Sequence, residues 1–155
     1  MSNNLNANIV GGNINFGKAI LAEGTNAATF KTTTNTIVYT VDGVQYTKAP
    51  ADNLPFSSGH TSLAASQVCL FAVWLDTAGA VTTTQGKIIS TADLSNGITV
   101  LAMPFDQNGK CCIGLIRVAT SATGVFVPNT TDLGDAQVTD TYYDCSCLPA
   151  RPLTA

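Results

Sequence analysis

The run Ile37-Val38-Tyr39-Thr40-Val41-Asp42-Gly43-Val44-Gln45-Tyr46-Thr47 decides the fold class. β-Branched and aromatic residues flank Asp42-Gly43, and Asp-Gly is a pair that accepts positive φ at both central positions of a type I′ turn. A two-residue loop opposes Val41 to Val44 and Tyr39 to Tyr46. Ile37, Tyr39, Val41, Val44 and Tyr46 then share one face, and Thr40, Gln45 and Thr47 share the other. One face is expected to enter a core and the other to meet water or a partner.

The same signals recur outward from this hairpin. Val68 to Leu75 is almost wholly apolar and closes at Asp76-Thr77-Ala78-Gly79, which predicts a strand buried on both faces. Ala80 to Ile89, rich in Thr, reads as its returning partner. Asn96-Gly97 and Asp106-Gln107-Asn108-Gly109 are turn sequences that bound expected strands over Ile98 to Met103 and Cys112 to Thr120. Simple alternation in the latter puts Ile113, Leu115 and Arg117 on one face and Cys112, Gly114, Ile116 and Val118 on the other. Val125-Phe126-Val127 and Val138 to Cys145 complete a set of roughly eight to ten short strands. The expected fold is all-β: a single antiparallel β-sandwich, jelly-roll-like, over residues 30–146. Residues 1–29, rich in Asn, Gly and Ala, read as an extended N-terminal arm with at most one short strand. Residues 147–155 read as an extended C-terminal tail, because Pro149 and Pro152 exclude a helix or a central strand.

Composition agrees with this reading. Only 11% of the 155 residues are charged against 45% hydrophobic, and Glu occurs once, at Glu23, against 22 Thr. Exposed helix faces are populated by Glu, Lys and Arg, so a helical protein is disfavoured, and so is disorder, which needs low hydrophobicity and high charge. A net charge of −3, with Lys18, Lys31, Lys48, Lys87 and Lys110 dispersed, argues against a nucleic-acid partner. The polar start, with no cation before Lys18, lacks the pattern of a secretory signal, and the longest apolar run is too short for a membrane helix. The chain is therefore expected to be soluble, without a membrane partner, and made in a cytoplasm.

No constellation for chemistry emerges. Cys69, Cys111, Cys112, Cys145 and Cys147 lack the paired C-x-x-C spacing of a zinc site, and adjacent Cys111 and Cys112 point to opposite faces of a strand. Buried thiols are expected, since an unbridged Cys behaves as a small hydrophobe. Cys145 and Cys147 share a face, but His60 is the only histidine to join them. His60 lies in the polar loop Ser57-Ser58-Gly59-His60-Thr61-Ser62 without a nucleophile-elbow motif, and a hydrogen-bonded structural role is expected. Asp42, Asp76, Asp106, Asp132 and Asp135 stand beside turn residues, where Asp bonds its own backbone rather than serving a carboxylate pair. Asp132-x-x-Asp135 could touch calcium, but the loop pattern that completes such a site is missing. The expectation is a non-enzyme with no cofactor, no metal and no catalytic residue.

Low charge lowers the cost of covering a surface with protein, and the centres of interfaces are depleted in Lys, Glu and Asp. Sheet edges left open would aggregate, and a closed ring of protomers removes them. A homo-oligomer, a trimer by expectation, follows. Its candidate interface residues are the apolar positions of the two arms: Leu5, Ile9, Ile14 and Phe16 at one end, Leu148 and Leu153 at the other.

Four stretches carry a resemblance. They are Phe30 to Ala49, Leu63 to Asp76, Cys112 to Val118, and Pro128-Asn129-Thr130-Thr131-Asp132-Leu133. Together they are similar to segments of virion structural proteins of tailed bacteriophages and span most of residues 30–145. Within that group, proteins of this size resemble capsid decoration (cement) proteins. The resemblance implies a trimer on the outer capsid surface of the virion, bound to the major capsid protein and stabilising the head. Other members of similar appearance are tail- or head-fibre components, which implies the alternative of a receptor- or glycan-binding module. Sugar sites favour exposed aromatic faces. Trp74 sits inside an apolar run, and Tyr142 and Tyr143 point to opposite faces of one strand, which leaves little for a glycan.

Overall fold

The structure is a computed structural model that describes residues 12–33, 36–104 and 108–146. Its strands are β1 (Leu21–Glu23), β2 (Phe30–Thr32), β3 (Ile37–Val41), β4 (Val44–Lys48), β5 (Ala51–Leu54), β6 (Gln67–Leu75), β7 (Val81–Gln85), β8 (Ile89–Ser90), β9 (Cys111–Thr120) and β10 (Val138–Asp144). One short helix, α1 (Thr91–Ser95), follows β8. All pairings are antiparallel. The central sheet has five strands in the order β10-β9-β6-β7, with β8 also on β6; β1-β2-β5 form a second sheet and β3-β4 a third. The fold is all-β and antiparallel, consistent with a single-domain sandwich.

The hairpin forms as its sequence dictates. Val41 opposes Val44 and Tyr39 opposes Tyr46, and Asp42 and Gly43 take φ values of 50° and 79°. Ile37, Tyr39 and Val41 are buried, while Val44, at the tip, is 55% exposed. The expected core face is therefore complete on β3 and only partial on β4.

Every residue from Val68 to Leu75 is buried because β6 lies in the middle of a sheet covered on both faces. On one face Cys69, Phe71, Val73 and Leu75 meet Ile37, Tyr39 and Val41 of the hairpin, with Phe30, Phe56 and Phe126. The Phe56 ring stands edge-on at 5.0 Å from Phe71, 5.4 Å from Phe30 and 5.9 Å from Phe126, the arrangement that ring quadrupoles prefer. On the other face Val68, Leu70, Ala72 and Trp74 meet Leu94, Leu101, Leu115, Cys112 and Cys145.

Three sequence expectations are corrected. Residues 98–103 are not a strand: Ser90 caps α1 by accepting the Ala92 N–H, Leu94 is buried, and Ile98 and Val100 stay 70% and 52% exposed. Val125–Val127 forms only one bridge, in which Phe126 and Leu63 exchange backbone bonds of 2.9 and 3.0 Å. The alternation in β9 breaks at a bulge, because Val73 opposes Gly114 while Trp74 opposes Cys112, leaving Ile113 as an extra residue. Cys111 and Ile113 thereby share a layer with Ile116 and Val118, while Cys112 joins Leu115 in the other. Gly114 fits the crowded bulge, since a Cβ there would stand 2.7 Å from the Tyr143 carbonyl. Within residues 12–29, the described part of the expected arm, one short strand forms: β1 pairs with β2, and Ala19, Leu21 and Ala28 are buried.

Candidate interaction surface

Ile14–Phe16 runs along the edge of β3. The Thr40 N–H donates to the Ile14 carbonyl at 2.8 Å, the Phe16 N–H donates to the Val38 carbonyl at 2.9 Å, and Asn15 bridges Tyr39. This pairing fixes which way each side chain points. Asn15 is buried beside Tyr39; its amide donates to the Cys145 carbonyl at 2.9 Å and its oxygen accepts the Gly17 N–H at 3.2 Å. Its neighbours Ile14 and Phe16 take the opposite, outer face, next to Thr40 and Val38, and Phe16 is 60% exposed.

Two of the expected interface residues, Ile14 and Phe16, are thus brought together on one sheet face. Leu5, Ile9, Leu148 and Leu153 lie outside the described residues. The structure adds Val38, half-buried on the same face. Its position was available from the alternation of the hairpin, in which it is out of phase with Tyr39. Among the described residues, Thr40, Gln45 and Thr47 of the hairpin share this face and add hydroxyl and amide side chains to its apolar ones. Such a surface is suited to covering by protein, because its apolar side chains leave water on contact and each hydroxyl can find a partner.

At β7 the sheet edge is closed within the chain, where closure by neighbours was expected. The Ser57 N–H donates to the Thr83 hydroxyl and the Thr83 N–H to the Ser57 hydroxyl, both at 2.8 Å. The Thr61 N–H donates to the Gln85 side-chain oxygen, and the Gln85 amide returns a bond to the Thr61 carbonyl, both at 2.7 Å. These bonds block a docking strand at that edge.

His60 belongs to this closure. Its Nε2 lies 2.8 Å from the Thr83 hydroxyl and its ring is edge-on to Phe71 at 5.3 Å. Burial lowers its pKa, which favours the neutral ring. The aspartates do turn work: Asp76 accepts the N–H groups of Ala78 and Ala80, Asp132 that of Gly134, and Asp135 that of Gln137. Glu23 lies among acids; burial, then a hydrogen bond to Asp132 and the charges of Asp132 and Asp140, raise its pKa. Among the described residues, no group of three or more His, Cys, Asp or Glu is arranged to hold a metal ion.

The aromatic residues considered for a glycan platform are placed inward. Trp74 is buried under α1, and Tyr142 and Tyr143 pack against opposite layers of the central sheet. Cys69, Cys112 and Cys145 are free, buried thiols, and Cys111 is buried as well; Cys147 lies outside the described residues. Comparison with family models, with curated proteins and with solved structures found no match.

Proposed function

We propose that this chain is a non-enzymatic structural protein of a tailed-phage virion: a decoration, or cement, protein that binds the major capsid protein lattice on the outer head surface as a homotrimer. The observation that carries the reading is the outer face of the hairpin, where Phe16 is 60% exposed beside Ile14 and Val38 on the face that Thr40, Gln45 and Thr47 share. The buried central strand β6 backs the hairpin's inner face and makes a stiff platform, and stiffness lowers the ordering cost of association. The resemblance of the four sequence stretches to phage virion proteins supports the choice of partner.

The mechanism is mass action. A ligand that binds only the assembled lattice stabilises that lattice, by about 2.7 kcal/mol per site when its free concentration is about 100 times its Kd. No bond is made or broken. The test is the copy number of this chain per major capsid subunit in purified virions. A number that scales with the shell supports the proposal. A handful of copies per particle moves the chain to a tail or vertex, and the receptor- or glycan-binding alternative takes its place.

A further inference from the structure

The two thiols Cys112 and Cys145 meet at the point where β10 ends. Both are buried, 8% and 5% exposed, in the layer under α1. The Cys145 N–H donates to the Ile113 carbonyl at 3.2 Å, which extends the β9–β10 pairing past its last formal partners, Gly114 and Asp144. In an unbroken β9, Cys112 would share the face of Ile116 and Val118. The bulge at Ile113 turns it over, onto the face of Cys145, where the Cys112 thiol donates to the Gly114 carbonyl at 3.6 Å and both sulfurs belong to one buried layer. Cys69 and Cys111 point into the opposite layer. Cys112 and Cys145 therefore face the same layer, and the bulge creates that arrangement.

We propose that Cys112 and Cys145 are an oxidation site: a dithiol that a peroxide closes into a disulfide, tying the end of β10 to the start of β9. The roles within the pair differ. Hydrogen bonding to Cys145 and burial hold Cys112 as a thiol, whereas the bond received from Cys112 lowers the pKa of Cys145 against burial and the Asp144 charge. The thiolate form of Cys145 is the one that attacks a peroxide oxygen; the O–O bond breaks, hydroxide leaves and takes a proton, and Cys145 becomes a sulfenic acid. The Cys112 sulfur then attacks the Cys145 sulfur, the S–O bond breaks, and the Cys112 proton leaves with that oxygen as water. Two thiols and one peroxide give one disulfide and two waters. A small oxidant suits sulfurs this buried, and a thiol reductant reverses the bond.

The link closes a long loop through the turn between β9 and β10, so oxidation should raise the Tm by roughly 10 °C. The experiment treats the full chain with hydrogen peroxide, blocks remaining thiols by alkylation, and maps cross-linked peptides by mass spectrometry. The expected result is a single reducible link between Cys112 and Cys145, with the rise in Tm reversed by reductant. In Cys112→Ala the link and the rise in Tm are lost. Peroxide giving sulfinic acid at Cys145 without a link, or a link ending at Cys111 or Cys147, overturns the proposal. The map of the unaltered chain decides this even where Cys112→Ala does not fold.

Discussion

The inner and outer faces of the β3–β4 hairpin, with Ile14–Phe16 beside it, carry matched apolar sets in opposite surroundings. Ile37, Tyr39 and Val41 face inward and are at most 1% exposed; Ile14, Phe16 and Val38 face outward, and Phe16 is 60% exposed. Apolar content alone does not make a core. The inner face is core because the central sheet supplies a second layer, with Phe71, Val73 and Leu75. The difference teaches where to look for a partner: an apolar sheet face held rigid from behind and left wet in front is a place for another protein.

The largest expected effect breaks the inner face. Tyr39→Ala removes a fully buried ring that stands 5.8 Å from Tyr46, and chemical denaturation should show a loss of about 4 kcal/mol. Asn15→Ala comes next. It deletes the buried amide that serves the Cys145 carbonyl and the Gly17 N–H, and the unmet partners should cost roughly 2 kcal/mol. Tyr39→Phe keeps the ring and removes only the hydroxyl that donates to the Asp76 carbonyl at 2.7 Å, for a loss of about 1 kcal/mol.

That last pair also has a pH signature. Burial, then the Asp76 charge, raises the Tyr39 pKa above its ordinary value of 10.0. A group whose pKa is raised by folding contributes its full stability below the unfolded value and loses it as the pH climbs through the folded one. The stability advantage of the natural chain over Tyr39→Phe should thus hold to near pH 10 and shrink above it, as read from denaturant midpoints across the alkaline range. A gap that stays constant would show that the phenol does not feel the core. The smallest effect sharpens the outer face: Phe16→Ser should change the stability of an isolated protomer by no more than about 0.5 kcal/mol. A larger loss would make Phe16 part of the core rather than part of a surface.

The hairpin and β6 were legible because each rests on a local rule, Asp42-Gly43 for the turn and the unbroken apolar run for two-sided burial. The pairing of Ile14–Phe16 with β3 was not, since it joins backbone groups far apart in sequence and leaves no periodic trace. The bulge at Ile113 was hidden for a related reason: alternation assumes a strict period of two, and one extra residue reverses every assignment beyond it. Helix α1 is too short to show a helical period, and Ser90 as its cap was the one usable signal. Of the candidate surface, apolar character selected Ile14 and Phe16, but only strand pairing could add Val38 and place the three on one face.

The most direct test of this account is sedimentation equilibrium of the full chain at micromolar concentration, run beside Phe16→Asp. The account predicts the mass of three chains for the natural protein, and dissociation to protomers with unchanged circular dichroism for the variant. A natural chain that sediments as a monomer, or a trimer indifferent to the charge at position 16, would contradict it.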